Sequence, residues 1–280
     1  METIEGNFKG VEETKLYFQA WIPEKDPKAI IIYAHGFASH SGRAVNIVNA
    51  LVPLGYIIYA NDQRGHGKSE GKTNYVRNMD QYVEDEKLFY NLVKEKYPKL
   101  PIFMLGHSMG SAITVYFAKK YGSLLRGIIL SGIGTKYGGD ELTKLVKSVA
   151  KVMSKIAPKF SATTGLDPTL LSHDPEVVKT YIEDPLVGYK KTTVRQAHSM
   201  FDSFEKLPNI LVDIRIPILI QKGLADATVT GFQELKSFLI KSKNVTFQEY
   251  EGLYHEIYNE LEQDRVRVLG DLNEWIEKQL

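Results

Sequence analysis

No cysteine occurs among the 280 residues of the chain, which removes disulfides, thiolate zinc sites and cysteine nucleophiles together and agrees with a reducing compartment. No excess of charge exists either: 35 Lys and Arg against 34 Asp and Glu leave a formal net charge of +1. Nucleic-acid phosphates call for clustered cations, so this balance gives no case for such a partner. No run of about 18 apolar residues is present, and the opening Met1-Glu2-Thr3-Ile4-Glu5-Gly6 lacks the basic start and apolar stretch of a signal peptide. The expectation is a cytoplasmic protein without a membrane span.

What is present is alternation. Short β-branched and aromatic runs at 16–21, 29–34, 56–60, 102–105, 127–130, 218–221 and 245–250 read as strands. Helical patterns fall near 43–53, 79–97, 109–121, 231–241 and 262–278. Strands alternating with amphipathic helices predict an α/β fold, a mostly parallel sheet with helices on both faces. A chain of 280 residues is long for one domain and short for two with a linker, so one large domain with an insertion fits best. The alternation breaks between about 135 and 207, where helices and turns carry no buried strand. We therefore expect a core of residues 1–134 and 208–280 and a helical cap of residues 135–207.

Inside the expected cap, Leu142, Leu145, Val146, Val149, Val152, Met153 and Ile156 share one helical face, and Lys144, Lys147, Lys151 and Lys155 share the other. Two readings stay open for this basic amphipathic helix: its apolar face covers a pocket on the sheet, or it makes transient contact with an anionic membrane surface.

The chemistry centres on Gly106-His107-Ser108-Met109-Gly110, between the apolar run Ile102-Phe103-Met104-Leu105 and a helix-like run from Ala112. That is the strand-to-helix setting in which G-x-S-x-G forms a nucleophile elbow. The glycines leave room for a crowded turn that projects the serine hydroxyl above the sheet edge. A serine nucleophile needs an imidazole to take its proton and a carboxylate to orient that imidazole. On this architecture the chain order is serine, acid, histidine.

Asp226 follows the run Ile218-Leu219-Ile220-Gln221 in the turn Lys222-Gly223-Leu224-Ala225. An aspartate there could be a turn former or helix cap, yet its place in the order favours the acid. His255 follows the run 245–250 and is the only histidine after Ser108 that comes just past an expected strand, since His173 and His198 fall in the cap. His35, His40, His66 and His107 precede the serine and read as loop-bracing or pocket-lining. Three loops at the carboxyl edge of one sheet can converge there. The oxyanion of the tetrahedral intermediate needs N–H donors. The Met109 amide offers one, and the Phe37 amide, in the His35-Gly36-Phe37 turn after Ala34, is the candidate for the other. His35-Gly36 could also be only a tight turn.

With these residues in place, the chain resembles the α/β-hydrolase superfamily, and more narrowly the monoacylglycerol lipase and lysophospholipase group. The likeness extends over nearly the whole chain: His35-Gly36 with His40-Ser41-Gly42-Arg43, Asp62-Gln63-Arg64-Gly65-His66-Gly67-Lys68-Ser69-Glu70-Gly71, the elbow, Asp174-Pro175-Glu176, Glu183-Asp184-Pro185-Leu186, and Tyr250-Glu251-Gly252 before Tyr254-His255. The resemblance implies hydrolysis of a carboxylic ester with a long acyl chain and a small polar head. It implies Ser108, Asp226 and His255 as catalytic triad, no metal and no organic cofactor. Two positions depart from the group's pattern. Ser111 stands where glycine is common, and Ser39 stands where mammalian members carry a carboxylate near the glycerol end.

Serine acyl transfer on a fatty ester is the activity these readings lead to, with lysophospholipase or broad carboxylesterase activity as the alternative within enzymes. A non-catalytic binder of hydrophobic ligands is the alternative outside them. Oligomeric state is not legible.

Overall fold

Both faces of the central sheet are covered, which is why its inner strands read as uninterrupted apolar runs rather than alternating ones. In the strand at Ala29–Ala34, Ile30, Ile32 and Ala34 enter one hydrophobic cluster. Ala29, Ile31 and Tyr33 enter the other, across the sheet. The computed structural model describes residues 1–137 and 140–280, without the side chains of residues 140–144.

In chain order the strands and helices are β1 (Glu2–Lys9), β2 (Lys15–Ile22), β3 (Ala29–Ala34), α1 (Val45–Leu51), β4 (Tyr56–Asn61), α2 (Met79–Lys96), β5 (Ile102–His107), α3 (Met109–Tyr121) and β6 (Gly127–Ser131). There follow β7 (Lys136–Tyr137), α4 (Asp140–Ile156), β8 (Ser161–Thr163), α5 (Pro175–Glu183), β9 (Lys191–Thr193) and α6 (Val194–Leu211). The chain then returns through β10 (Ile218–Gly223), β11 (Val229–Thr230), α7 (Phe232–Leu239), β12 (Val245–Tyr250) and α8 (Glu262–Glu277).

The 8-stranded sheet has the order β1-β2-β4-β3-β5-β6-β10-β12. From β4 to β12 every pairing is parallel, and β2 is antiparallel to both its neighbours. Side chains of α2, α3, α6 and α7 fill one face; those of α1 and α8, with Trp275 and Leu272, fill the other. The mostly parallel sheet expected from the alternation is present. The N-terminal strand β1 was not expected: among its residues only Phe8 is buried, so it lacks the apolar signature of an inner strand.

The chain leaves the sheet after β6 and rejoins it at β10, directly beside β6, where Ile218 pairs with Ile128 and Gln221 with Ser131. Between them, helices dominate, with one short two-stranded piece, β8 with β9, while β7 pairs with β11, which follows β10. The boundary expected at residue 207 falls inside α6. Leu207, Ile210 and Leu211 of that helix pack into the core, while Val194, Met200 and Phe201 line a cavity.

Polar clasps tie this segment to the sheet. Asn74 Nδ2 donates to Gly188 O at 2.6 Å and Lys191 O at 2.7 Å, His40 Nε2 meets Asp184 Oδ2 at 2.8 Å, and the buried Glu260 accepts from His173 N at 2.9 Å and Tyr254 N at 2.8 Å.

Of the residues expected on the two faces of α4, Leu142 and Lys144 lie outside the described side chains. Leu145, Val146 and Val149 line a cavity yet remain largely exposed on their outer side, and Val152 and Ile156 are 57% and 74% exposed. The face turned fully inward carries Ala150 and Ser154 instead.

Candidate active site

Two glycines set the position of Ser108 by permitting contacts that no side chain would survive. A Cβ at Gly110 would sit 1.9 Å from Ala34 O, and one at Gly106 would sit 2.2 Å from Gly110 O. The chain therefore turns from β5 into α3 hard against β3, and Ser108 takes φ 53° and ψ −118°, a sparsely populated region for a residue with a side chain.

Hydrogen bonds hold that strain. Ser108 N donates to Ser131 O at 2.8 Å. Ser111 Oγ lies 2.7 Å from both Gly106 O and Ser131 O and accepts from Ser131 N at 3.2 Å. The serine that replaces the usual glycine thus ties the elbow to β6.

Asp226 lies in the turn after β10 and His255 in the loop after β12, and these strands are neighbours. The structure brings the two side chains together: His255 Nδ1 donates to Asp226 Oδ2 at 2.8 Å. Asp226 Oδ1 accepts from Thr228 N at 2.8 Å and Val229 N at 3.0 Å. Burial alone would raise the Asp226 pKa, but the adjacent His255, and then Lys222, overcome it and hold the carboxyl well below its usual range. With Nδ1 committed to the carboxylate, the lone pair of the neutral imidazole resides on Nε2.

Ser108 and His255 line the same small cavity of about 20 Å³, together with Gly36, Phe37, Ser39, Tyr137 and Glu256. The two side chains share this cavity without a hydrogen bond between them.

Neither the Phe37 nor the Met109 amide donates a hydrogen bond among the described residues. The loop carrying Phe37 is braced from below: Gln63 N donates to His35 Nε2 at 2.8 Å, so His35 Nδ1–H donates to Gly36 O, also at 2.8 Å. Beneath His35, Gln63 Nε2 donates to the fully buried Glu86, whose pKa burial pushes up to about 7.

His107 packs on His255 with ring centroids 4.8 Å apart. Burial first, then His255, push its pKa down to about 3, so it stays neutral. Among the described residues, no group of three or more His, Asp or Glu side chains is arranged to hold a metal ion.

Two charged pairs at the site escaped the sequence reading. Arg43 Nη2 donates to Glu256 Oε2 at 2.6 Å, with both side chains at least nine-tenths buried, and the guanidinium lies 4.7 Å from the Tyr181 ring centroid. Lys222, only 3% exposed, contacts Asp226 Oδ2 directly. The available signal was a lysine at the end of the buried run Ile218-Leu219-Ile220-Gln221, where an interior charge demands a partner.

A family model described as serine aminopeptidase, S33, matches residues 25–262. The chain belongs to this α/β-hydrolase family. Similar relatives of the hydrolase include the monoacylglycerol lipase of Mycolicibacterium smegmatis, 33% identical over 97% of this chain and 96% of that one. The human monoglyceride lipase is 30% identical over 93% of this chain and 86% of that one. Among solved structures, the monoacylglycerol lipase of Paleococcus ferrophilus superposes with a TM-score of 0.81 at 28% identity, covering 100% of both chains. The fold expected from sequence is therefore that of its relatives, and no helix among the described residues is long and apolar enough to cross a membrane.

Proposed function

We propose that this hydrolase cleaves monoacylglycerols by acyl transfer through Ser108, with His255 as general base and Asp226 as its orienting carboxylate. The observation that carries the reading is the 2.8 Å contact of His255 with Asp226 beside a strained serine that opens into the same cavity. Ser108 Oγ attacks the ester carbonyl while His255 Nε2 takes its proton, and the Phe37 and Met109 amides receive the oxyanion. The imidazolium then protonates the leaving glycerol oxygen. Water, deprotonated by the same imidazole, releases the fatty acid.

The walls suit an ester that is apolar at one end and hydroxylated at the other. An apolar cavity of about 290 Å³, lined by Phe37, Tyr137, Val149, Val194 and Phe201 among others, takes the acyl chain. Ser39, Arg43, Glu256 and Asn259 are among the residues lining a recess of about 10 Å³ that His107 also lines; it must widen to admit a small polyol, whose hydroxyls would then meet these donors and acceptors. Here Glu256 supplies a carboxylate where Ser39 does not.

Residues 135–207 act as the cap over this cleft. The outer side of α4 makes peripheral contact with an anionic lipid surface, because Val152 and Ile156 stand exposed among the exposed Lys151 and Lys155.

Ser108→Ala tests the chemistry. It should abolish both ester turnover and labelling by a fluorophosphonate while leaving the melting temperature within a few degrees; turnover that persists refutes the assignment. A panel of monoacylglycerols, lysophosphatidylcholine and p-nitrophenyl esters of graded length reads the head group, and faster cleavage of the lysophospholipid replaces the glyceride reading. Binding to anionic vesicles that is unchanged when Val152, Ile156, Lys151 and Lys155 are all replaced by Gln rejects the membrane contact.

A further inference from the structure

Lys222 is buried where a hydrolase of this plan needs no cation. It is the penultimate residue of β10, four positions before Asp226, and 3% of its side chain is exposed. Its Nζ touches the same carboxylate oxygen, Asp226 Oδ2, that accepts the His255 Nδ1 proton. It also donates to Val229 O at 2.9 Å. The Asp226 carboxylate is therefore shared between a resident ammonium and the imidazole, rather than given to the imidazole alone.

We propose that Lys222 is a positioning residue that weakens His255 as a base through the shared Asp226 oxygen, so that Ser108 is served by a weaker proton acceptor than an unshared Asp–His pair would supply. The inference rests on the triad reading above.

Two effects act in the same direction. The ammonium satisfies part of the Asp226 charge that would otherwise stabilise the imidazolium. It also places a positive charge two contacts from the ring, against the positive charge that forms there when Ser108 gives up its proton. Burial pulls the Lys222 pKa down and Asp226 opposes this, as expected for a buried cation beside a carboxylate. Other charged or titratable groups face the pair. His107 packs on His255 and stays neutral. The buried Glu256, next to His255, is matched by Arg43. Lys222 is thus the one cation in direct contact with Asp226 among the described residues.

The constraint also fixes geometry. Val229 N donates to Asp226 Oδ1 while Val229 O accepts from Lys222, so the turn, the lysine and the carboxylate form one closed ring of contacts. A merely structural lysine would do this too, and the two roles separate in the pH profile.

The test uses the full-length enzyme and a p-nitrophenyl ester, with kcat/KM followed from pH 4.5 to 9. Lys222→Met, which keeps the bulk and removes the charge, should move the acidic limb upward by about one pH unit or more, as expected for loss of a like charge at this range. Lys222→Gln should do the same while still able to donate to Val229 O. Lys222→Arg, which restores the charge, should return the limb towards its original position. An unmoved limb in a folded, fluorophosphonate-reactive Met or Gln variant overturns the proposal and leaves the triad reading intact. Failure of the wild-type enzyme to react with the probe sinks the triad reading instead. If neither neutral variant folds, Lys222 is a structural residue and the proposal is overturned.

Discussion

Replacing Arg43 with Met should destabilise the protein far more than loss of an ordinary surface ion pair. Arg43 and Glu256 are 10% and 7% exposed and 2.6 Å apart, so the substitution strands a carboxylate in the interior beside His255. Breaking one partner of a buried pair costs about 3–5 kcal/mol. Asn259 Nδ2 still donates to Glu256 Oε2 at 2.8 Å, which places the expected loss near the lower end, about 3 kcal/mol.

For a domain of this size that corresponds to a fall in melting temperature of roughly 6–12 °C. Urea unfolding at pH 7 gives the free energy and scanning calorimetry the temperature. The sign of the pH dependence follows from Glu256, whose carboxyl is pushed up by burial but held below its usual value by Arg43 above all. A depressed acid stabilises the fold above its unfolded pKa and loses that contribution as pH falls through the folded value. The deficit of Arg43→Met should therefore shrink as pH falls, and should begin to do so above the ordinary carboxylate range, because without Arg43 burial is left to raise the stranded Glu256 carboxyl. Adding Glu256→Gln to Arg43→Met should recover more than about 1 kcal/mol, because no charge is then left unpaired. A single-variant loss below about 1 kcal/mol, the range of exposed pairs, would refute the reasoning.

Three further outcomes are expected. Glu86→Gln should stabilise the protein by up to about 3 kcal/mol at pH 8 and by nothing below about pH 4.5, since burial raises this carboxyl to about 7 and the wild-type fold loses stability as pH rises towards that value; equal effects at both pH values in urea titrations contradict it. Gly110→Ala, whose Cβ would lie 1.9 Å from Ala34 O, should either prevent folding or remove at least about 3 kcal/mol along with activity, and an active variant of wild-type stability rejects the close-contact account of the elbow. Ser111→Ala should cost about 1–3 kcal/mol by leaving the buried Ser131 N–H short of its acceptor, with a lower kcat as the elbow loosens; unchanged melting and kcat would show the hydroxyl to be idle.

The inner strands were legible because burial on both faces leaves no room for polar residues, as in Ile30-Ile31-Ile32 and Ile57-Ile58. Ser108 was legible because the glycines at 106 and 110 answer to contacts that tolerate no side chain. Asp226 and His255 were located by chain order, which the sheet converts into proximity by pairing β10 with β12. The rest was hidden for physical reasons. Strand β1 presents mostly polar, solvent-facing positions, so periodicity had little to register. Lys222 and Glu256 look in sequence like any solvated charge beside a strand or loop, and only tertiary burial reveals that each must have a partner. The apolar face of α4 was visible as a stripe, but a stripe does not say whether a pocket or the outside lies against it, and here its residues do both.

Strands β6 and β10 lie side by side with Ile128 opposite Ile218, although the whole of α4, α5 and α6 intervenes in sequence. The two ends of that long excursion leave and re-enter the sheet at adjacent points, so its closure is set by backbone pairing that the excursion itself does not supply. If the segment is the cap proposed above, the part of it before the core-packed end of α6 can be exchanged for another of different length and greasiness, altering which molecules gain entry, without shifting the register that holds the reacting groups.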